Sequence, residues 1–292
     1  MINPQIASEA TKKNIKTHPI WFKLKHNKMT LIGFLILFAM IVLALLAPVL
    51  TPYDPIKINV AEKFQGPSFR HLFGTDEVGR DILTRTLFGA RLSLGVGLLV
   101  IIIAACFGIF IGAVSGYFGG IIDQIVMRIM DMLLAFPTLI LAMALTASLG
   151  PSLHNAMIAI AIVEIPIYVR LARSETLVLR EKLFVKSAAV FGIRPIPIIL
   201  KHIIPNAVSP VIIQATLNVG NAILMIATLG FLGLGAQPPT PEWGSMISIG
   251  WKYLLDYWWY PTFPGIFLFL TSGALNLIGD GVRDILDPKS NR

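Results

Sequence analysis

Residues 92–115 read LSLGVGLLVIIIAACFGIFIGAVS, an apolar stretch without a charged side chain. An α-helix rises about 1.5 Å per residue, so about 20 residues cross a hydrocarbon core of about 30 Å. This stretch is therefore long enough to span a bilayer, and lipid rather than water is the solvent that suits it.

Five more apolar stretches follow the same pattern. The first of them comes after a polar leader and lacks a small-x-small cleavage site, which predicts a retained helix rather than a signal peptide. The predicted spans cover residues 29–50, 92–115, 125–149, 156–171, 207–229 and 261–277. The sequence therefore predicts an all-α integral membrane protein with six transmembrane helices.

The composition agrees with this fold class. Hydrophobic residues make up 55% of the 292 residues and charged residues 14%, whereas a soluble domain carries about 25% charged residues. A water-soluble enzyme is therefore disfavoured. The single cysteine, Cys106, excludes an intrachain disulfide, and the five histidines lack the helical spacing of a metal site, so we expect no metal and no cofactor on this chain.

The basic residues predict the orientation. Most of the 24 lysines and arginines lie in the leader, the polar loop 173–205 and the tail. Because loops rich in lysine and arginine stay in the cytoplasm, both termini are expected there, and the net charge of +8 reflects this bias rather than nucleic-acid binding. The predicted units are a basic leader 1–28, a first helix 29–50, an external segment 51–91, a core 92–281 and a tail 282–292.

Small residues and prolines mark several spans. Gly108, Gly112 and Gly116 recur every four residues, a spacing that lets helices approach closely in lipid. Pro137 and Pro166 are expected to kink their helices. Arg128 and Asp131 lie one turn apart and are expected to pair.

Glu164 lies near the middle of the span 156–171. A carboxylate inside the membrane is costly, which favours a functional role, such as binding a cationic group of a passing solute. An interhelical hydrogen bond or a carboxyl kept protonated by burial would also explain it. Both interpretations stay open from the sequence.

The polar loop 173–205 contains a short amphipathic helix. Apolar Leu183, Phe184, Ala188 and Phe191 recur at three- and four-residue steps, and Gly192 follows as a helix stop. Such a face fits a groove of another protein. A helix lying flat on lipid headgroups is the alternative.

This loop resembles the cytoplasmic coupling motif of ABC-transporter permeases, which is Glu-Ala-Ala, three residues, Gly, about nine residues and Ile-x-Leu-Pro. Here the motif is Lys186-Ser187-Ala188, Gly192 and Ile203-Ile204-Pro205. The glutamate of the family is replaced by Lys186, which removes any salt bridge that the glutamate would make with an ATPase.

Other segments resemble one branch of these permeases, the importers of dipeptides, oligopeptides, glutathione and nickel, and in particular their C-type subunit. The matching segments are 73–81, 89–94, 135–137, 231–235, 238–244 and 276–284. They occur in the order found in that family and run from about residue 20 to the carboxyl terminus.

The resemblance implies a type I ABC importer permease fold in a bacterial inner membrane. It implies a second, B-type permease subunit, two ATP-binding subunits that use ATP and Mg²⁺, and an extracytoplasmic solute-binding protein. The residues implied for ATPase coupling are Phe184, Lys186, Ser187, Ala188, Gly192 and Pro205. Glu164 is the candidate for the translocation path.

The external segment carries its own charged motif. Thr75 or Asp76 is a plausible N-cap for a helix through Leu87, and Asp81 is expected to face Arg85 one turn later. Asp76, Arg80 and Asp81 are the candidate functional residues of this segment, chiefly as organisers of an external helix. The tryptophans and tyrosines between residues 243 and 260 are expected to form an anchoring belt at the membrane interface.

The substrate and the energy source have alternatives. Small peptides are the favoured solute, with nickel or a metallophore as the alternative. A proton-coupled transporter with Glu164 as the titrating group is the alternative from another class, and it would need an internal repeat or further carboxylates within the membrane. The chain has no phosphate-binding loop, so we expect that it is not itself an enzyme.

Overall fold

The structure is a computed structural model that describes residues 28–286, with side chains up to Arg283. The predicted leader 1–28, apart from Lys28, and the end of the predicted tail 282–292 lie outside the described residues. The helices of eight or more residues are, in chain order, α1 (Lys28–Leu50), α2 (Ile82–Phe118), α3 (Gly120–Leu134), α4 (Thr138–Leu149), α5 (Leu153–Leu179), α6 (Leu183–Val190), α7 (Ile204–Phe231), α8 (Trp243–Trp251) and α9 (Trp259–Leu286).

Five helical segments in this range are long and apolar enough to cross a membrane. They are α1, α2, α5, α9 and the segment Pro195–Phe231, in which α7 is preceded by the four-residue helix Pro195–Ile198 and the π-helical turn Ile199–Ile203. The predicted spans are therefore confirmed at these five positions, with longer helices than the apolar runs alone indicated.

The span predicted at 125–149, with a kink at Pro137, is present as two helices that together are apolar and long enough for a sixth, broken span. Helices α3 and α4 meet at an angle of 93°. Pro137 lies between them in an extended conformation, because its ring and missing N–H prevent the helix from continuing. At about 1.5 Å per residue, the 12 residues of α4 reach only about 18 Å, so α4 alone is shorter than the hydrocarbon core.

The core lies between α2 and α5, and the predicted glycine packing is confirmed there. A Cβ atom on Gly108 would lie 2.3 Å from Tyr168 Cβ, and one on Gly112 would lie 2.4 Å from the Val169 carbonyl oxygen. Residues of α7, including Ala222 and Ile226, complete the same buried cluster. Close contact of α2 and α5 therefore depends on the absence of side chains along one face of α2.

The segment 51–81 folds against the amino-terminal end of α2, and its predicted cap was wrong. The cap is Asp81, whose Oδ2 accepts a hydrogen bond from Thr84 N at 2.7 Å, and helix α2 continues without a break into the membrane span. Thr75 and Asp76 lie before the helix. There is thus no separate helix over 75–87.

The expected pair of Asp81 and Arg85 is also replaced by other partners. Arg85 Nε lies 3.6 Å from Asp76 Oδ2, and Arg85 Nη1 donates to the carbonyl oxygens of Pro55 and Pro239. The side chain of Arg85 therefore joins the 51–81 segment to the loop before α8.

The expected aromatic belt is only partly correct. Trp243 and Tyr260 are buried within the protein, whereas Trp251 and Trp258 are exposed. The Trp243 Nε1–H donates to the Thr86 carbonyl oxygen at 3.0 Å, and the Tyr260 hydroxyl donates to Glu77. Two of these rings are therefore core residues, because their polar atoms find partners inside the protein.

Glu242 caps α8 from a buried position. Its two carboxylate oxygens accept hydrogen bonds from Gly244 N and Ser245 N, each at 2.8 Å. Burial nevertheless raises the pKa of Glu242 to about 7. The usual pKa of a glutamate is about 4.3. Between about pH 4.3 and pH 7, the folded protein therefore keeps a proton on Glu242 that the unfolded chain has released.

This pKa predicts a pH dependence of stability. A raised carboxyl pKa favours the folded state at low pH, and this contribution is lost as the pH rises from about 4 to about 7. The loss amounts to about 3–4 kcal/mol. Thermal unfolding midpoints of the detergent-purified protein at pH 5 and pH 8 should therefore show a larger fall for the wild type than for Glu242→Gln, whose amide cannot ionise. Equal falls in the two proteins would contradict the prediction.

Candidate functional site

The predicted short helix of the polar loop is present as α6. Its inner side chains, Val185 and Ala188, are buried against Ala113 of α2 and against Ile198 and Ile203. Helix α6 is thus anchored to two transmembrane segments, α2 and the start of the segment that leads into α7.

The outer side of α6 is apolar and exposed. Leu183 is 83% exposed, and Val190 and Phe191 are each 85% exposed. Phe184 is also exposed, whereas Ala188, which was assigned to the same face, points inward. The predicted single apolar face is therefore corrected to two faces, one that anchors the helix and one that residues 28–286 leave exposed.

Gly192 ends the helix as predicted. Its φ is +79°, a conformation that other residues adopt only at a cost. Gly192 N donates to the Ala189 carbonyl oxygen, and Ile193 N donates to that of Ala188. Among the described residues, a Cβ at this position would meet nothing within 4 Å, so the backbone conformation is the feature that favours glycine here.

Lys186, which stands where the family has glutamate, already has a partner in this chain. Its Nζ lies 2.8 Å from Glu181 Oε2, and this ammonium lowers the pKa of Glu181. Ser187 is exposed on the same helix. Pro205, the last residue of the motif, lies exposed in the first turn of α7, directly after the π-helical turn Ile199–Ile203.

Glu164 of α5 lies buried between helices. Its Oε2 accepts a hydrogen bond from Asn218 Nδ2 of α7 at 3.1 Å, and Asn218 Oδ1 accepts one from Gln214 Nε2 at 3.0 Å. The interhelical hydrogen bond that the sequence left open is therefore present. Gln214 and Asn218 were missed, although two amides four residues apart on an apolar helix are a recognisable signal.

The three candidates of the 51–81 segment are buried and paired. Asp76 Oδ2 lies 2.6 Å from Arg80 Nε, and Asp81 Oδ1 lies 2.9 Å from His71 Nδ1. His71 was not singled out from the sequence. Within residues 28–286, no group of three or more His, Cys, Asp and Glu side chains is placed to hold a metal ion. These residues fold the segment onto α2.

The expected pair of Arg128 and Asp131 is also corrected. Asp131 Oδ1 lies 2.6 Å from Arg170 Nη2 of α5. The partner comes from another helix, so spacing along α3 did not reveal it.

Comparison with known proteins assigns the chain to a family. Residues 108–292 match the family described as binding-protein-dependent transport system inner membrane component. The chain belongs to this permease family. Residues 17–67 of the permease also match the N-terminal TM domain of oligopeptide transport permease C, which confirms the resemblance drawn from the sequence motifs.

Relatives of the permease are similar over most of their length. The probable D,D-dipeptide transport system permease protein DdpC of Escherichia coli K12 is 49% identical over 93% of this chain and 91% of its own. The dipeptide transport system permease protein DppC of Alkalihalophilus pseudofirmus is 49% identical over 91% and 88%. The glutathione transport system permease protein GsiD of an Escherichia coli O6 strain is 41% identical over 93% and 90%. The permease is thus a multi-pass inner-membrane subunit of the ABC importer type.

Proposed function

We propose that this permease imports small peptides as one of two permease subunits in an ATP-driven complex. The other subunits are a B-type permease, two ATP-binding proteins that bind ATP and Mg²⁺, and a solute-binding protein outside the membrane. The observation that carries the proposal is the free apolar face of α6, formed by Leu183, Val190 and Phe191.

The face of α6 is suited to bind a protein. Covering exposed apolar side chains with a partner protein is favourable by about 25 cal/mol for every Å² of apolar surface removed from water. A helix with such anchors fits a groove on another protein. Because Val185 and Ala188 fix the opposite side of α6 to α2, a displacement of α6 by an ATPase would be passed directly to the membrane helices.

The basic residues support the orientation of the complex. Lys182, Lys186, Arg194 and Lys201 lie in or next to the motif, and positive charge favours the cytoplasmic side. We therefore place α6 and both termini in the cytoplasm, where ATP-binding subunits would be found, and the 51–81 segment outside.

The substrate class follows from the relatives. The three relatives named above carry names of dipeptide and glutathione transporters, which supports small peptides rather than nickel. Glu164 remains our candidate for the translocation path. Its carboxyl group, held by Asn218, would attract the ammonium group of a peptide when the path opens.

Co-purification tests the docking role of α6. Phe191→Asp and Val190→Asp place a charge in the proposed interface, and either variant should lose most of the co-purifying ATP-binding subunits and of the ATP-driven uptake. The matched control is Phe69→Asp, because Phe69 is fully exposed on the 51–81 segment, and it should retain both. Normal recovery of the ATP-binding subunits with the α6 variants would refute the proposal.

A further inference from the structure

An ion pair joins α3 to the end of α5 that carries α6. Arg173 Nε lies 2.5 Å from Asp123 Oδ1, and Arg173 Nη2 lies 2.6 Å from Asp123 Oδ2. A guanidinium that binds both oxygens of a carboxylate is fixed in orientation as well as in distance. Both side chains are mostly shielded from solvent.

The same carboxylate also contacts α2. The Ser115 hydroxyl donates to Asp123 Oδ1 at 2.5 Å, and the neighbouring Arg180 Nη1 donates to the Gly116 carbonyl oxygen at 3.1 Å. Gly112 and Gly116 bring α2 into direct backbone contact with α5 at this level. The end of α2, the end of α5 and the start of α3 are therefore linked around Asp123.

The way in which α3 is joined to its neighbours makes the Asp123–Arg173 pair important for the position of α3. On its amino-terminal side, α3 is separated from α2 only by Gly119, whose φ is +64°. On its carboxyl side, α3 ends at the 93° bend that leads to α4. Without the Asp123 link, α3 would be tied to α5 chiefly by the more exposed Arg170–Asp131 pair. It could then pivot more freely at Gly119, since glycine adopts both negative and positive φ.

We propose that Asp123 is a positioning residue for transport: by holding Arg173, it makes α3 move together with the end of α5 and with α6. This inference rests on the proposed function, because the movement of α6 comes from the ATP-binding subunits. The movement then reaches the bend at Pro137 and changes the angle between α3 and α4. A partner can shift a helix only through contacts that differ between the two positions of that helix. The Asp123–Arg173 pair is the rigid connection that transmits the resulting movement of α6 to α3.

A charge exchange tests this role. Asp123→Asn and Arg173→Gln should each lower the number of labelled dialanine molecules imported per ATP hydrolysed by about tenfold, within the usual range of coupling between sites. The double variant Asp123→Arg/Arg173→Asp restores an ion pair of opposite polarity and should recover much of this ratio. The measurement uses the complete complex in proteoliposomes with the solute-binding protein, and the ratio is taken for assembled complexes only.

The second α3–α5 pair is the matched control. Arg170 and Asp131 connect the same two helices, but both side chains are about half exposed, and such surface pairs contribute little. Asp131→Asn should therefore change the ratio by about twofold or less. A loss as large as that of Asp123→Asn would show that any α3–α5 contact has this effect, and would overturn the specific role of Asp123.

The outcomes separate this inference from the proposed function. If the wild-type complex assembles and imports the probe while Asp123→Asn keeps its normal ratio, the inference fails and the proposed function stands. A charge exchange that leaves the ratio low, or a loss of assembly in all three Asp123 and Arg173 variants, also overturns the inference, since the pair would then serve folding alone. A wild-type complex without ATP-driven import would instead count against the proposed function.

Discussion

Gly112→Ala is expected to destabilise the permease by about 2–3 kcal/mol, because overpacking a well-packed interface costs about this much. The new Cβ would lie 2.4 Å from the Val169 carbonyl oxygen, 2.9 Å from Ala172 Cβ and 3.0 Å from Arg173 N. Two of these atoms belong to the backbone of α5, which cannot move aside as a flexible side chain would. Helices α2 and α5 must therefore separate.

Thermal or denaturant unfolding of the purified protein in detergent measures this effect, with Gly95→Ala as the control. Gly95 lies in the same helix, and no atom of the described part of the chain comes within 4 Å of the added Cβ. Alanine is favoured over glycine in helices by about 1 kcal/mol, so Gly95→Ala should be neutral or slightly stabilising. Equal unfolding midpoints for the two variants would show that the close approach of α2 and α5 is not a source of stability.

Trp243→Ala is expected to cost about 3–5 kcal/mol, the usual loss when a large buried aromatic side chain is removed. The indole is completely buried, covers Gly89 of α2 and packs edge-on against Phe267 of α9. Its removal would leave a cavity where α2, α8 and α9 meet. It would also leave the Thr86 carbonyl oxygen without the Nε1–H that it accepts.

The control is Trp251→Ala in the same helix. Trp251 is 61% exposed, so its loss should change the unfolding midpoint far less than the loss of Trp243. Trp243→Phe should recover part of the packing but not the hydrogen bond to the Thr86 carbonyl oxygen. A similar shift for the Trp243 and Trp251 variants would mean that Trp243 acts at the membrane interface after all.

The fold was predictable from sequence to the extent that it depends on local apolarity. The five long spans follow from runs such as 92–115, and the glycine spacing of α2 correctly indicated a packing face. The bend at Pro137 was underestimated as a kink. Proline shows that the helical hydrogen bonding is interrupted, but the resulting angle of 93° depends on how α3 and α4 pack against the rest of the bundle.

In the candidate site, helix α6 was predictable from the sequence, whereas the side-chain pairs between helices were not. Gly192 correctly predicted where α6 ends, because ending a helix requires only a local backbone conformation. By contrast, Asp123–Arg173 are 50 residues apart and Glu164–Asn218 are 54 residues apart. Pairing across such distances is decided by helix packing, and the spacing rule that linked Arg128 with Asp131 applies only within one helix.

The bend between α3 and α4 also limits what can surround this permease in its membrane. A helix that is interrupted leaves backbone N–H and C=O groups without their usual partners, and hydrocarbon tails cannot accept or donate a hydrogen bond to them. The turn at residues 135–137 exposes Phe136 and Pro137 on the surface of this chain. Where this turn lies at hydrocarbon depth, annular lipid is an unsuitable neighbour, and protein or water must cover the turn in the assembled transporter.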